Sequence, residues 1–312
     1  MSIRAMEKEI SNQILDLPRF ASHLREAHLP KLKRSSLVFA GSGDSYAASV
    51  FAQELSKGEA IASDPYELLT NIRRTRGKTL VIVSVSGRTK TNVELARKAK
   101  GIAARRLAIT ADTESPLARE CDETLQLEYR TPGILTSGTI SFTTSLLACA
   151  FLLWDMPRYI RLKTAPSNAA RTATSVKQPG KGAFVFTGSG VNYALALYGA
   201  AKINEVLGAK AEAVYPEQLG HAMLFSIDKE YDLIICLSTG PDKARQLHEL
   251  LGKNGFRTSI PASSENNPVQ RSLNIAIYLQ QLSLAIAKRK RMAECAFLSD
   301  MKRLNLSNKM VY

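Results

Sequence analysis

Four cysteines, four histidines and a single tryptophan among 312 residues exclude several kinds of protein before any pattern is sought. Cys121, Cys149, Cys236 and Cys295 stand far apart, with no C-x-x-C pair and no histidine at ligand spacing. Neither a structural zinc nor a disulfide framework is therefore expected, nor is any metal or other cofactor, and the thiols read as buried and free. Long apolar runs are missing too. The run at 146–154 is too short to cross a bilayer and no cleavable leader is evident at the amino terminus, so a cytoplasmic protein with no membrane partner is expected. Acidic residues are the minority, 28 against 42 basic, for a net charge of +14. That sign suits anionic metabolites, nucleic acid or a membrane surface and does not choose among them. The densest basic run, 288–291, follows an apolar helical stretch at 275–287, where cations complement the helix carboxyl end. The aromatic and glycine interleaving of RNA-binding segments is lacking, so no nucleic-acid partner is expected.

What the chain does have is an internal repeat. The nonapeptide FAGSGDSYA at 39–47 returns as FTGSGVNYA at 186–194. Each copy sits where an apolar, strand-like run (36–40; 183–187) passes into a helix-like run (46–55; 193–207), which predicts a strand, a glycine turn and a helix start. Glycines there let the backbone approach a ligand, and the first amides of a helix carry partial positive charge with no intrahelical acceptor. Such a turn suits a phosphate, although an isolated copy would equally serve as a tight βα corner. A second pair follows at a similar distance: LVIVSVSG at 80–87 and LIICLSTG at 233–240 both end an apolar run in small hydroxyl residues. In an open parallel sheet ligands gather at the carboxyl ends of the strands, so hydroxyls and loop amides are expected around one crevice in each half. The first half is the better phosphate cup, built from Ser42, Gly43, Ser45, Ser84, Ser86 and Thr89. The second has Asn192 in place of a hydroxyl residue and Pro241 in its other loop, and reads as degenerate.

The fold class implied is α/β: two tandem doubly wound domains of parallel strands flanked by helices, related by a pseudo-twofold axis. An amino-terminal helix at 1–28 precedes a first domain at 29–162. A linker at 163–181, rich in Ala, Ser, Thr, Pro and Lys and without apolar period, leads to a second domain at 182–294 and a tail at 295–312.

Beyond the second loop, Lys202 and Glu205 stand three apart on one helix face, and His221 follows in what reads as a glycine-rich turn before an apolar strand. A carboxylate, an ammonium and an imidazole are what a sugar-phosphate isomerisation needs. A base carries a proton between C1 and C2, a donor stabilises the enediol oxygen, and an acid/base opens the ring. A Lys/Glu pair at this spacing is more often a solvated salt bridge, and a lone histidine more often structural. Their position behind a ligand loop favours chemistry.

At these residues the sequence resembles a known family. The stretch 196–223 is similar to the second sugar-isomerase (SIS) half of the isomerase domain of glucosamine-6-phosphate synthase, with its pattern A-L-E-G-A-L-K-L-K-E, then H-A-E-A, then G-E-L-K-H-G-P. In the first half GSGDSYAAS resembles G-T-S-Y-x-A, and SVSGRTKTNVELARKAK resembles S-x-S-G-E-T-x-D-T-L-x-A-x-x-x-A-K. MEKEISNQ near the amino terminus resembles M-x-K-E-I-x-E-Q. The resemblance implies two SIS domains, with Ser45, Ser84, Ser86 and Thr89 holding a phosphate, Glu205 moving the C1/C2 proton and Lys202 assisting it. It further implies that His221, contributed by the neighbouring subunit of a homodimer, opens the pyranose ring. The tail Asn305-Leu306-Ser307-Asn308-Lys309 is similar to the family's N-L-A-K with one residue extra, which implies a place for Lys309 over the site.

Four departures accompany the match. Arg88 replaces the acidic residue of S-G-E-T, Val85 the glutamine between the phosphate serines, and Tyr198 a glutamate. Gly138-Thr139-Ile140 stands for S-T-K, whose lysine is missing. The sequence shows no glutaminase domain with an amino-terminal cysteine, so the resemblance implies the ammonia-releasing direction: glucosamine 6-phosphate to fructose 6-phosphate and ammonia, as in stand-alone glucosamine-6-phosphate deaminases. The expected small-molecule partner is a phosphorylated amino sugar or hexose. The alternatives are an aldose/ketose phosphate isomerase that never handles nitrogen, or a non-catalytic sugar-phosphate-binding regulatory protein. The last does not require Lys202, Glu205 and His221, and no helix-turn-helix is evident for it.

Overall fold

In the computed structural model the described residues are 1–27, 32–162, 166–176, 181–261 and 265–312. The chain opens with α1 (Ser2–Glu26), whose buried Ile3, Met6, Ile10, Leu17 and Leu24 recur at helical spacing. Strands and helices then alternate: β1 (Leu37–Gly41), α2 (Asp44–Leu55), β2 (Ile61–Ser63), α3 (Pro65–Thr70), β3 (Thr79–Val83), α4 (Lys90–Lys98), β4 (Arg105–Thr110), α5 (Pro116–Glu120) and β5 (Glu123–Gln126). The five strands form a parallel sheet in the order β2-β1-β3-β4-β5. Every residue of β1 and β3 is buried, which is why their sequences run apolar without alternation, as a central parallel strand covered on both faces requires. The apolar α6 (Ile140–Leu152) packs against α2.

The later part repeats the plan with α7 (Pro166–Ser175), β6 (Phe184–Gly188), α8 (Val191–Leu207), β7 (Ala211–Val214), α9 (Pro216–His221), β8 (Leu233–Leu237), α10 (Lys243–Lys253) and β9 (Thr258–Ser259). Its four strands are again parallel, in the order β7-β6-β8-β9, the order of the first four strands of the other sheet. Then α11 (Pro268–Arg289) lies against α7 and α8, followed by α12 (Ala296–Ser299) and α13 (Met301–Val311). Both sheets are parallel and helix-flanked, so the class is α/β.

One difference from the sequence-based expectation lies in the linker. Residues 166–175 are helical, with Pro166 at the first turn and Ala169 and Ala173, one turn apart, buried. Small side chains at that spacing let a polar helix dock with little apolar area. The rest of the 163–181 stretch lies largely outside the described residues, as does the end of the expected first helix at residue 28.

The chain divides into two compact units, each discontinuous. One comprises Met1–Asn12, Thr131–Thr139 and Arg161–Met301, the other Gln13–Arg130, Ile140–Ile160 and Lys302–Tyr312. No helix among the described residues is long and apolar enough to cross a membrane. All four cysteines are free, three of them buried, and burial pushes the Cys121 and Cys236 thiols up to about 12.

Candidate active site

The two copies of the repeated nonapeptide fold alike. After β1, Gly43 takes φ 59° and ψ −127° as N-cap of α2. After β6, Gly190 takes φ 58° and ψ −137° as N-cap of α8. This is backbone that an L side chain adopts only under strain. In both copies the turn closes in the same way, with the Ser45 amide donating to the Ser42 carbonyl at 3.2 Å and the Asn192 amide to the Ser189 carbonyl at 3.1 Å. A Cβ on Gly41 would come within 2.6 Å of the Ser45 backbone, so the strand end and the first helical turn can approach this closely only through glycine.

In the sheet of the first half, β1 and β3 are adjacent and parallel, with Gly41 opposite Val83. Ser42, Gly43 and Ser45 therefore follow one strand end while Ser84, Ser86 and Thr89 follow its neighbour. The chain leaves β1 toward β2 on one side and returns as β3 on the other. That is the topological switch point at which open α/β sheets bind ligands. Ser45 and Ser84 are buried, and Thr89 is the N-cap of α4 without capping it through its hydroxyl. Among the described residues the hydroxyls of Ser42, Ser45, Ser84 and Thr89 donate to no protein acceptor, whereas the Ser86 hydroxyl accepts from the Arg88 amide at 3.3 Å. Arg88 turns its guanidinium to Asp112, 3.1 Å away at the end of β4. The cation that replaces the family's acidic residue is thus neutralised within the chain.

The corresponding loop of the second half differs in one decisive residue. Asp242, N-cap of α10, stands where Thr89 stands at α4. Its carboxylate accepts from the Thr239 amide at 2.8 Å, the Thr239 hydroxyl at 3.3 Å and the Arg245 amide at 3.0 Å. Burial pushes its pKa up, but these hydrogen bonds outweigh burial and hold the carboxyl below the usual range. Donors that a phosphate would need are taken by a carboxylate of the chain itself, and the neighbouring Ser238 hydroxyl donates to the Gly240 carbonyl at 2.8 Å.

Helix α8 brings Lys202 and Glu205 together. Lys202 is fully buried, and its Nζ donates to Glu205 Oε2 at 2.6 Å. A third member was not legible in the sequence: Ser137, whose Oγ accepts from Lys202 Nζ at 2.6 Å and donates to Glu205 Oε2 at 2.7 Å. The solvated surface pair that i, i+3 spacing usually makes is replaced here by a closed triangle around a buried ammonium. Burial pushes the Glu205 carboxyl up, but the Lys202 charge and the two hydrogen bonds prevail and hold it below the usual range. Two departures from the family pattern meet at the same place. Tyr198 Oη donates to the Gly138 carbonyl at 2.9 Å, and the Lys202 ammonium lies 5.2 Å from the Tyr198 ring centre.

His221 stands apart from the triangle. It ends the short helix α9 instead of lying in a turn, because Pro216 starts a helix there and carries it through Gly220. Its side chain is 71% exposed, and the carboxylate it faces is Glu217, at 3.6 Å. No hydrogen bond or ion pair joins it to Lys202 or Glu205 among the described residues. Lys309 lies exposed on α13.

These features place the chain among α/β proteins with open parallel sheets. Residues 31–154 match the family model of the SIS domain. The glutamine–fructose-6-phosphate aminotransferase (isomerizing) of Sulfurisphaera tokodaii is 27% identical over 271 residues, covering 81% of this chain and 43% of that protein. The chain thus spans less than half the length of that relative. Among solved structures, the glucosamine-6-phosphate deaminase of Thermotoga maritima superposes with a TM-score of 0.71 at 18% identity, covering 92% of this chain and 95% of that one. The C-terminal domain of glucosamine-fructose-6-phosphate aminotransferase from Francisella tularensis gives a TM-score of 0.67 at 18% identity, covering 93% and 97%.

Proposed function

We propose that this protein is a sugar-phosphate isomerase/deaminase that converts glucosamine 6-phosphate and water to fructose 6-phosphate and ammonia. The observation that carries the proposal is the Ser137–Lys202–Glu205 triangle. It presents a carboxylate held ionised beside a buried ammonium, which suits a general base next to an electrophilic donor. The roles follow from the family resemblance. Phosphate goes to the hydroxyls and amides of Ser42, Gly43, Ser45, Ser84, Ser86 and Thr89. Glu205 moves the proton between C2 and C1, turning the amino-aldose into a fructosimine, and Lys202 steadies the oxygen on which charge builds. Water then adds to the imine carbon and ammonia leaves. His221 opens the ring from the neighbouring subunit of a homodimer, a part compatible with its exposure on its own chain, and Lys309 closes over the sugar. Two SIS domains, at 29–162 and 182–294, belong to the same proposal.

The test is release of ammonia and fructose 6-phosphate from glucosamine 6-phosphate, with Glu205→Gln as matched control. Equal release of both products that drops by at least about a thousandfold in the variant supports a deaminase with Glu205 as base. Interconversion of aldose and ketose phosphates with no ammonia would replace it with plain isomerisation.

A further inference from the structure

Both hydrogen bonds that reach the Glu205 carboxylate end on one of its oxygens. Ser137 Oγ donates to Oε2 at 2.7 Å and Lys202 Nζ donates to the same atom at 2.6 Å, while among the described residues no group donates to Oε1. The two donors are buried, Ser137 at 2% exposure and Lys202 at 0%, yet the Glu205 side chain is 40% exposed, so its open part lies away from them. The carboxylate has an anchored oxygen and an open one.

The anchor is itself held by the chain on either side of it. Thr136 Oγ1 donates to the Ser2 carbonyl at 3.1 Å, the Gly138 carbonyl accepts from Tyr198 Oη at 2.9 Å, and the Thr139 carbonyl accepts from Gln280 Nε2 at 3.2 Å. Helices α1, α8 and α11 thus fix the segment that carries Ser137. Its hydroxyl has one proton to give, and its Oγ already accepts from Lys202 Nζ at 2.6 Å. An ammonium offers only donors, so that proton points at Glu205.

Resting on the function proposed above, we propose that Ser137 is a positioning residue: it holds Glu205 by Oε2, so that Oε1 is the oxygen that carries the proton between C2 and C1. The need for it follows from the part given to Lys202. An ammonium that turns to the substrate oxygen on which charge builds offers less to Glu205, and the Ser137 bond stays on Oε2 through that change. In the conversion of amino-aldose to imine the C2 proton passes to Oε1 and from it to C1, the amino nitrogen gives up one proton and O1 takes one. Ser137 keeps its own.

The deciding measurement is the titration of the Glu205 carboxyl by carbon NMR of glutamate-labelled protein, with Glu205→Gln to assign the signal. It does not require turnover. In Ser137→Ala the Glu205 midpoint should rise by about half a pH unit or more, because a hydrogen bond to the charged form is lost while burial and Lys202 remain. In assays on glucosamine 6-phosphate kcat should fall by roughly tenfold with KM nearly unchanged, and the acid limb of the kcat profile should move up with the NMR midpoint. Ser137→Thr, which restores the hydroxyl, should bring both back. Ser137→Cys, whose thiol donates weakly, should share the alanine defects and serves if Ser137→Ala does not fold. A midpoint that stays at the wild-type value in both the alanine and cysteine variants overturns the proposal, and so does a raised midpoint with unchanged kcat. A raised midpoint in a protein that does not act on glucosamine 6-phosphate leaves the anchoring by Ser137 standing and removes the deaminase function.

Discussion

Lys202 is the residue on which the candidate chemistry turns, because a fully buried ammonium has to be answered by nearby charge. Its effect on Glu205 gives a test with a definite sign. In the wild type the Glu205 carboxyl is held below its unfolded value of about 4.3. Its contribution to stability is therefore present above that pH and lost as pH falls through the lowered native value. In Lys202→Met the attraction is gone and burial, the largest influence, is opposed only by the Ser137 hydrogen bond, so the native value should lie above the unfolded one. Glu205 then contributes stability at low pH that is lost as pH rises through the raised value. Denaturant unfolding at a series of pH values from about 4 to 8, referenced to Glu205→Gln, should show the slope attributable to this group change sign. Lys202 and Glu205 could be singled out in the sequence because a three-residue spacing on a helix is a local fact. Ser137 could not. It comes from another segment, and nothing about a serine in TSGT announces the ammonium it will meet.

At the level of elements, the paired loops show what a repeat in sequence can and cannot specify. The glycine turns at 41–43 and 188–190 were legible because only a few residue types meet their backbone demands, and β1, β3, β6 and β8 because strands buried on both faces must read as unbroken apolar runs. The difference between the halves came down to what caps α4 and α10. Sequence drew attention to Asn192 and Pro241, but Asp242 is the residue that consumes the second loop's donors. Its role was hidden because an aspartate before a helix reads as an ordinary cap. The comparison can be made experimentally by installing that carboxylate in the first half. Thr89→Asp should cap α4 and leave the fold intact while weakening binding of inorganic phosphate by at least about tenfold, since like charges brought together cost several kcal/mol. Calorimetric titration of both proteins with phosphate checks it, and equal affinity would show that the anion sits elsewhere.

For the whole molecule, the functional proposal makes activity a property of a pair of chains if His221 serves a neighbour's sugar. Specific activity should then fall on dilution below the dimer dissociation constant and return on reconcentration, while the circular dichroism of the diluted chains stays that of folded protein. Activity proportional to concentration over the whole range would confine the reaction to one chain and leave the exposed His221 without that part. The α/β class was readable from the alternation of patterns along the chain. The partition of the molecule was not, because compactness is decided by contacts between distant segments, and a domain boundary drawn along a sequence assumes that each unit is one continuous piece.

That partition bears on how such a protein can change over generations. Thr131–Thr139 and the start of α1 belong to the same compact unit as α8, though the one lies within the stretch 31–154 that matches the SIS domain model and the other at the amino terminus. A recombination event that cuts neatly between the two sheets would carry off a helix with its lysine and glutamate and leave behind the serine that hydrogen-bonds to both. The two halves, alike in strand order and in their loops, are for that reason not interchangeable parts. Their inheritance is bound together by a nine-residue stretch that carries no repeat of its own.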